Sequence, residues 1–357
     1  MNKSDFTAKI ETLRNGRTYQ IYKDTRDVVF RMLENGETRE GSTASAYWRQ
    51  ELAGFEYMFD ASPLIVEKIR HHCYHLTGLK EYEYRDHHAR GASRLAKRLR
   101  QLKERDTFNR LRVSESPLLG GFGYTIDGEL YNIDTLKFYE SMLVLDQAQI
   151  LDQFRKAEGK KIVCEIGAGW GGFAHQFKTL FPNTTYIIVD LPGSILFGAT
   201  YIKTLFPHAK ILIIDGVKDS AKISQAREYD FIFVPHFAWK ELSIPCPDLL
   251  INMCSFQEMT TAQVESYIAQ AHAWGIPHLY SINRDHSPNN PELTRVSSIL
   301  SAYYQVMFDE PSLEVKPAVR GFSPGSIFAR AKVLVKKAVS SQKENPHTYR
   351  HMIGMLR

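Results

Sequence analysis

Residues 165–171 read Glu-Ile-Gly-Ala-Gly-Trp-Gly, an acid followed by glycines at alternate positions. They close the apolar run KKIVCEI and lead into GGFAHQFKTLF, so the pattern predicts a buried strand, a tight turn and a helix. Glycine in such a turn lets a cofactor approach the backbone. Two cofactors fit. Gly167, Gly169 and Gly172 make G-x-G-x-x-G, the fingerprint of a dinucleotide site. Glu165, Gly167, Gly169 and Gly171 make E-x-G-x-G-x-G, the loop of an S-adenosylmethionine (SAM) site. Glu165 favours the second. A buried carboxylate is costly without a cationic or donor partner. The ammonium of SAM supplies one, whereas the pyrophosphate of NAD brings negative charge. A hydrogen bond from neighbouring backbone to Glu165 is the plain alternative. Asp190 closes the next apolar run, YIIVD, where a carboxylate can accept both ribose hydroxyls of an adenosine or cap the helix after Pro192.

A sulfonium methyl needs an acceptor atom held in line with it and water kept out. A hydroxyl is a poor nucleophile at neutral pH, so a general base assists. In a doubly wound sheet the cleft opens at the C-terminal ends of the strands. DLLINM reads as such a strand, and Ser255, Gln257 and Glu258 follow it. Glu258 is the first candidate for the base, with a first-turn carboxylate stabilised by the next helix dipole as the alternative. Asp285 and His286 follow the next strand, PHLYSIN, and are the second candidates. Pro235 and His236 would border the adenine if DFIFVP is the third core strand. If KILIID takes that place, Asp215 does so instead. DFIFVP leads more directly to DLLINM and is favoured.

From residue 160 onward strands alternate with helical segments, which predicts an α/β fold: a Rossmann-like sheet, mostly parallel, with an antiparallel C-terminal strand. SAYYQVMFDE and TYRHMIGMLR supply the last strands. Residues 1–115 read as a mainly helical, charged region and 116–357 as the catalytic domain. SPLIVEKIRHHCYHLTGL reads as one amphipathic helix ending at Gly78, ARGASRLAKRLRQLKERDTFNRLRV as a second, and IDTLKFYESMLVLDQAQILDQF as a third ending at Gly159. SPLLGGFGYTIDGELYN reads as a hairpin or loop, either structural or a lid placing Tyr124 and Tyr131 against a sugar ring.

The chain has 357 residues, 43% hydrophobic and 24% charged, with a net charge of +5. That balance argues for a soluble protein without nucleic acid as partner and suits an anionic small molecule. Cys73, Cys164, Cys246 and Cys254 form no C-x-x-C pair, so neither a zinc site nor a disulfide framework is indicated, and a reduced, cytoplasmic compartment fits. The N-terminal twenty residues hold no signal-peptide core, and no apolar run is long enough to span a membrane. His71 and His75 share a helical face without a third ligand, so no metal is expected. The basic stretches RLAKRLRQLKERD and SIFARAKVLVKKAVSSQK read as solvated or packed helices, with phosphate, nucleic acid or a membrane surface as alternatives.

EIGAGWGGFAHQF, YIIVDLPGSILFGATYI and DLLINMCSFQEM resemble the bacterial sugar O-methyltransferase family, over about residues 115–285. The resemblance implies SAM as cofactor, with Glu165, Gly167, Ala168, Gly169 and Gly171 along its methionine end and Asp190 with Leu191 at the ribose. Asn252 and Ser255 would lie near the donor methyl. It implies a hydroxyl of a sugar or nucleotide-sugar as acceptor. A non-sugar acceptor, an NAD-dependent oxidoreductase and a scaffold without catalysis stay open beside it, as does a homo-oligomer.

Overall fold

The first third of the chain forms helices α1 (Lys3–Asn15), α2 (Arg17–Gly36), α3 (Ala46–Gly54), α4 (Pro63–Val66), α5 (Ile69–His72), α6 (Tyr74–Thr77) and α7 (Ala89–Arg105). This is a computed structural model, and it describes residues 2–36, 44–85, 89–242, 244–285, 295–313 and 348–357. His286 and the basic stretch 326–343 lie outside the described residues. The helix expected over 62–78 is three single turns, α4 to α6. The backbone leaves helical geometry at Lys68 (φ −124°, ψ 34°). That kink receives the loop at Gly120, where an added Cβ would sit 3.0 Å from the Lys68 Cα. Gly78 ends the last turn as expected, at φ 72°.

Strands β1 (Tyr124–Ile126) and β2 (Glu129–Tyr131) form a hairpin. It turns through Asp127 and Gly128, both at positive φ, the geometry that Asp-Gly favours. The Tyr124 hydroxyl donates to the Glu83 carbonyl at 2.8 Å, and Tyr131 bonds Glu129 and Arg112. Both rings are thus held within the helical region, as in the structural reading of this hairpin. Helix α8 (Ile133–Gln147) starts from an Asn132–Thr135 capping box and is buried on nearly all sides. It stops short of Gly159. Gln149 adopts φ 61°, Ile150 N–H closes back on Leu145 at 3.0 Å, and only the short α9 (Asp152–Arg155) follows.

The sheet is built from β3 (Lys161–Ile166), α10 (Gly172–Leu180), β4 (Thr184–Asp190), α11 (Pro192–Leu205), β5 (Ile211–Ile213), β6 (Phe231–Pro235), β7 (Leu249–Met253), α12 (Thr261–Ala273), β8 (His278–Asn283), α13 (Val296–Tyr303), β9 (Tyr304–Pro311) and β10 (Arg350–Leu356). The strands lie in the order β5-β6-β4-β3-β7-β8-β10-β9. Pairings from β5 to β8 are parallel, and β10 runs antiparallel to β8 and β9. This is the mostly parallel, Rossmann-like sheet with an antiparallel C-terminal strand anticipated from the sequence. The strand beside β4 is β6, so Pro235 and His236 hold the third-strand position. Asp215 instead binds Arg31 at 2.9 Å.

Alternate residues of each strand enter two cores. Val163, Ile188, Phe233 and Ile251 face α8, α10, α11 and the N-terminal helices, while Cys164, Val189, Val234 and Leu250 face α12 and α13. On the first face a buried ion pair joins α7 to α8: Arg98 donates to Glu140. Glu140 also accepts from Ser312 Oγ and Leu313 N–H, each at 2.9 Å, and so holds the end of β9 over the sheet. Burial alone would raise this carboxyl. The His351 imidazole, with Nε2 at 3.4 Å, the Arg98 guanidinium and the Leu313 N–H outweigh burial and bring it to about 2. Glu140→Ala strands a buried guanidinium and should cost about 3–5 kcal/mol in urea unfolding. A loss below about 1 kcal/mol would show that water compensates the pair.

Candidate functional site

A cavity of about 820 Å³ opens at the C-terminal ends of β3, β4 and β7. This is where the chain, having crossed from β3 to β4 on one side, places β7 on the other, the switch point of such sheets. The floor is the glycine turn. Gly167, Gly169 and Gly171 take φ of 73°, 58° and 81°, values that glycine adopts without strain. A Cβ on Gly167 would lie 2.2 Å from Ser255 Oγ, so glycine is needed there for packing. A Cβ on Gly169 would meet nothing nearer than Leu76, at 3.9 Å, so the backbone there borders open space. Gly171 faces Ile202 and Gly198 and serves the packing of α10 on α11.

Two carboxylates border this floor. Glu165 projects from β3 and is 2% exposed. Its Oε2 accepts from the Tyr186 hydroxyl at 2.8 Å. Burial raises its carboxyl to about 8; Asp190 adds to the shift, and Tyr186 and Lys137 oppose it. Asp190, at the end of β4, accepts from Gly169 N–H and from Leu191 N–H, each at 2.7 Å. Burial lifts it to about 6 against the pull of those donors. Asp190 therefore ties the glycine turn to the start of α11 and still presents lone pairs to the cavity. Leu191, Ser194, His236, Phe237 and Tyr267 complete this end.

The rest of the wall comes from well-separated segments. Gln257 and Glu258 stand on the turn after β7, Lys137 on α8, Arg284 after β8, and Tyr47, Trp48 and Glu51 on α3. Ser45 Oγ donates to the Glu258 carbonyl at 2.8 Å and fastens α3 to that turn. Burial and the charge of Glu51 raise Glu258 to about 8, against Lys137 and Arg284. Such a carboxyl is half-ionised at about pH 8, and its ionised form can take a proton from a bound hydroxyl.

Of the residues singled out in the sequence, Glu165, Gly167, Ala168, Gly169, Asp190, Leu191, His236, Ser255 and Glu258 line this one cavity. Others do not reach its wall. Gly171 lies behind the turn. Pro235 is buried opposite Asp190 in the β4–β6 register. Asn252 directs its amide to the Ile166 carbonyl, at 2.9 Å, and to Ser255. Asp285 accepts from Ser297 N–H and Oγ, both at 2.9 Å, and so secures the start of α13. His71 and His75 meet no metal set: among the described residues no group of three or more His, Cys, Asp or Glu gathers as one. The sequence reading passed over Lys137, Arg284 and the α3 residues. A cation late in a strand-to-helix link, as Arg284 is, was the one available signal.

No family model and no curated protein matches the chain. Solved structures do resemble it. Magnesium protoporphyrin IX methyltransferase from Synechocystis, with S-adenosylhomocysteine bound, is 8% identical, covers 64% of this chain and 88% of its own, and superposes with a TM-score of 0.38. Phosphoethanolamine N-methyltransferase 2 from Haemonchus contortus is 11% identical over 59% of this chain and 52% of its own, with a TM-score of 0.34. Precorrin-6y C5,15-methyltransferase from Geobacter metallireducens is 14% identical over 59% and 88%, with a TM-score of 0.32. At these identities function is read from the site's own residues.

The two cavity-floor glycines should respond differently to alanine. Gly169→Ala adds only left-handed backbone strain, about 1–2 kcal/mol. Gly167→Ala adds the clash with Ser255 and should lose about 1–3 kcal/mol more. Urea unfolding of both variants checks this, and equal losses would contradict the packing assigned to Gly167.

Proposed function

We propose that this chain is a SAM-dependent O-methyltransferase acting on a hydroxyl of a sugar or sugar-containing small molecule. The observation that carries the reading is Glu165, a buried carboxyl beside open glycine backbone whose described partner is one tyrosine hydroxyl. An ammonium there completes its hydrogen bonding and favours its ionised form. The residues present fit the cofactor. Glu165 receives the amino group, Gly167 to Gly169 lie along the methionine chain, Asp190 accepts from the ribose, and His236 with Phe237 borders the base. A pyrophosphate at the same turn would face Glu165 and Asp190.

When bound, SAM supplies an electrophilic methyl group. The chain's residues do the rest. Glu258 takes the proton of the acceptor hydroxyl as its oxygen attacks. Asp134 offers a hydrogen-bonding group on the same wall, and Tyr47 and Trp48 offer aromatic faces. That combination suits a sugar ring, apolar on one face and hydroxylated at its rim. In this reading residues 1–115 are a helical wall that α3 brings to the catalytic domain of 116–357, keeping water from the transfer.

Titration calorimetry with SAM, S-adenosylhomocysteine and NAD tests the assignment: the first two should bind and NAD should not. Because Glu165 must ionise to meet an ammonium, affinity should rise with pH from about 6 toward 8. It should fall above that, as the ligand amine, with a pKa of about 8, loses its proton. Glu165→Gln should weaken binding and flatten the acid limb; an unchanged profile would remove Glu165 from the site.

Glu258→Gln should leave SAM affinity within a factor of a few while turnover falls about 10²- to 10⁴-fold. Wild-type turnover should climb as pH rises through about 8 and level off above. Normal turnover in the variant would reduce Glu258 to a structural acid.

A further inference from the structure

The cavity wall holds a half-buried cation, Arg284, that no carboxylate meets at ion-pair distance among the described residues. Lys137 is bound to Asp134 at 3.0 Å, and Arg98 to Glu140. Lys240 is exposed at the rim. Arg284 lines the same wall, and among the described residues it forms no ion pair. Its position is fixed from two sides. Its backbone N–H donates to Gln257 Oε1 at 3.0 Å, which joins it to the turn that bears Glu258. Its guanidinium lies over the Tyr349 ring, 4.3 Å from the centroid. Its Nε is buried and has no hydrogen-bond partner.

A guanidinium held over an aromatic ring on a cavity wall, with its Nε unsatisfied, is preorganised for a planar or tetrahedral oxyanion. We propose that Arg284 binds an anionic group of the acceptor, a carboxylate or a phosphate, so that the substrate is an acidic sugar or a sugar phosphate rather than a neutral one. This rests on the reading of the cavity wall around Glu258 as the acceptor site. The proximity of Arg284 to Glu258 then has a consequence. The acceptor's anion occupies Arg284, and the base is left to the hydroxyl. The competing role for Arg284 is as a charge partner of Glu258 alone, with no ligand contact.

The experiment titrates the protein, with and without saturating S-adenosylhomocysteine, with inorganic phosphate, glucuronate, glucose 6-phosphate and glucose. Binding is followed by calorimetry and by the Arg284 Nε–H resonance. Anionic probes should bind about ten- to a hundredfold more tightly than glucose, the range for a charge-assisted pair, and should shift that resonance saturably. Arg284→Gln should abolish the preference while the melting temperature and S-adenosylhomocysteine affinity hold. Arg284→Lys should keep part of it. Tighter binding of glucuronate marks a carboxylate as the natural group, and tighter binding of glucose 6-phosphate a phosphate. Equal affinity for glucose, a preference that survives Arg284→Gln, or no saturable response to any anion would overturn the proposal. Failure of S-adenosylhomocysteine to bind would instead overturn the methyltransferase reading, and the titrations without it would still decide the role of Arg284.

Discussion

The carbonyl of Ile166, at the end of the central strand, is held by two donors from the neighbouring strand's exit: Asn252 Nδ2 at 2.9 Å and Ser255 Oγ at 3.1 Å. Everything at the site follows from that knot. It fixes where β3 ends and the glycine turn begins. It presses Ser255 against Gly167, which no other residue type could tolerate there. Asn252 Oδ1 in turn accepts from Phe256 N–H at 3.1 Å and from Asn283 Nδ2 at 2.8 Å, so the exits of β7 and β8 are set by the same side chain. The turns bearing Glu258 and Arg284 are thereby placed relative to the glycine turn by buried hydrogen bonds rather than by loop packing. Buried, fully satisfied networks of this kind specify one arrangement and are costly to rearrange.

Charge is the second constraint. Glu165, Asp190 and Glu258 are each pushed upward by burial, to about 8, 6 and 8. A cavity that holds three such carboxyls is electrostatically tuned for a cationic ligand, since each would ionise more readily beside one. It also separates roles by position. Glu165 and Asp190 stand at the glycine turn, and Glu258 stands on the turn after β7. The charge of Lys137 acts on both Glu165 and Glu258, and that of Arg284 on Glu258.

Much of this was legible in the sequence because it was written in local patterns. The continuous apolar runs of β3, β4 and β7 mark strands buried on both faces, and the alternate glycines mark a turn at positive φ. The choice of DFIFVP over KILIID as third strand followed from chain order. What stayed hidden depends on distance. Helix α8 ends at a left-handed Gln149, which carries none of the glycine signal that usually announces such an end. Asp285 has the right type and place for a base, but Ser297 claims it, a contact between a loop and a helix that spacing cannot show. Asn252 and Pro235 point away from the cavity because strand residues alternate, and the register that decides which ones do so is tertiary. Tyr47, Trp48 and Glu51 come from a helix more than a hundred residues before the glycine turn, which Ser45 joins to the turn after β7.

A crystal structure of the protein with S-adenosylhomocysteine tests the central claim most directly. The ligand's amino group should lie within about 3 Å of the Glu165 carboxylate. Its ribose hydroxyls should be on Asp190 and its sulfur directed toward the end that holds Glu258. A ligand seated elsewhere, or one whose amino group leaves Glu165 bonded to Tyr186 alone, would contradict the account.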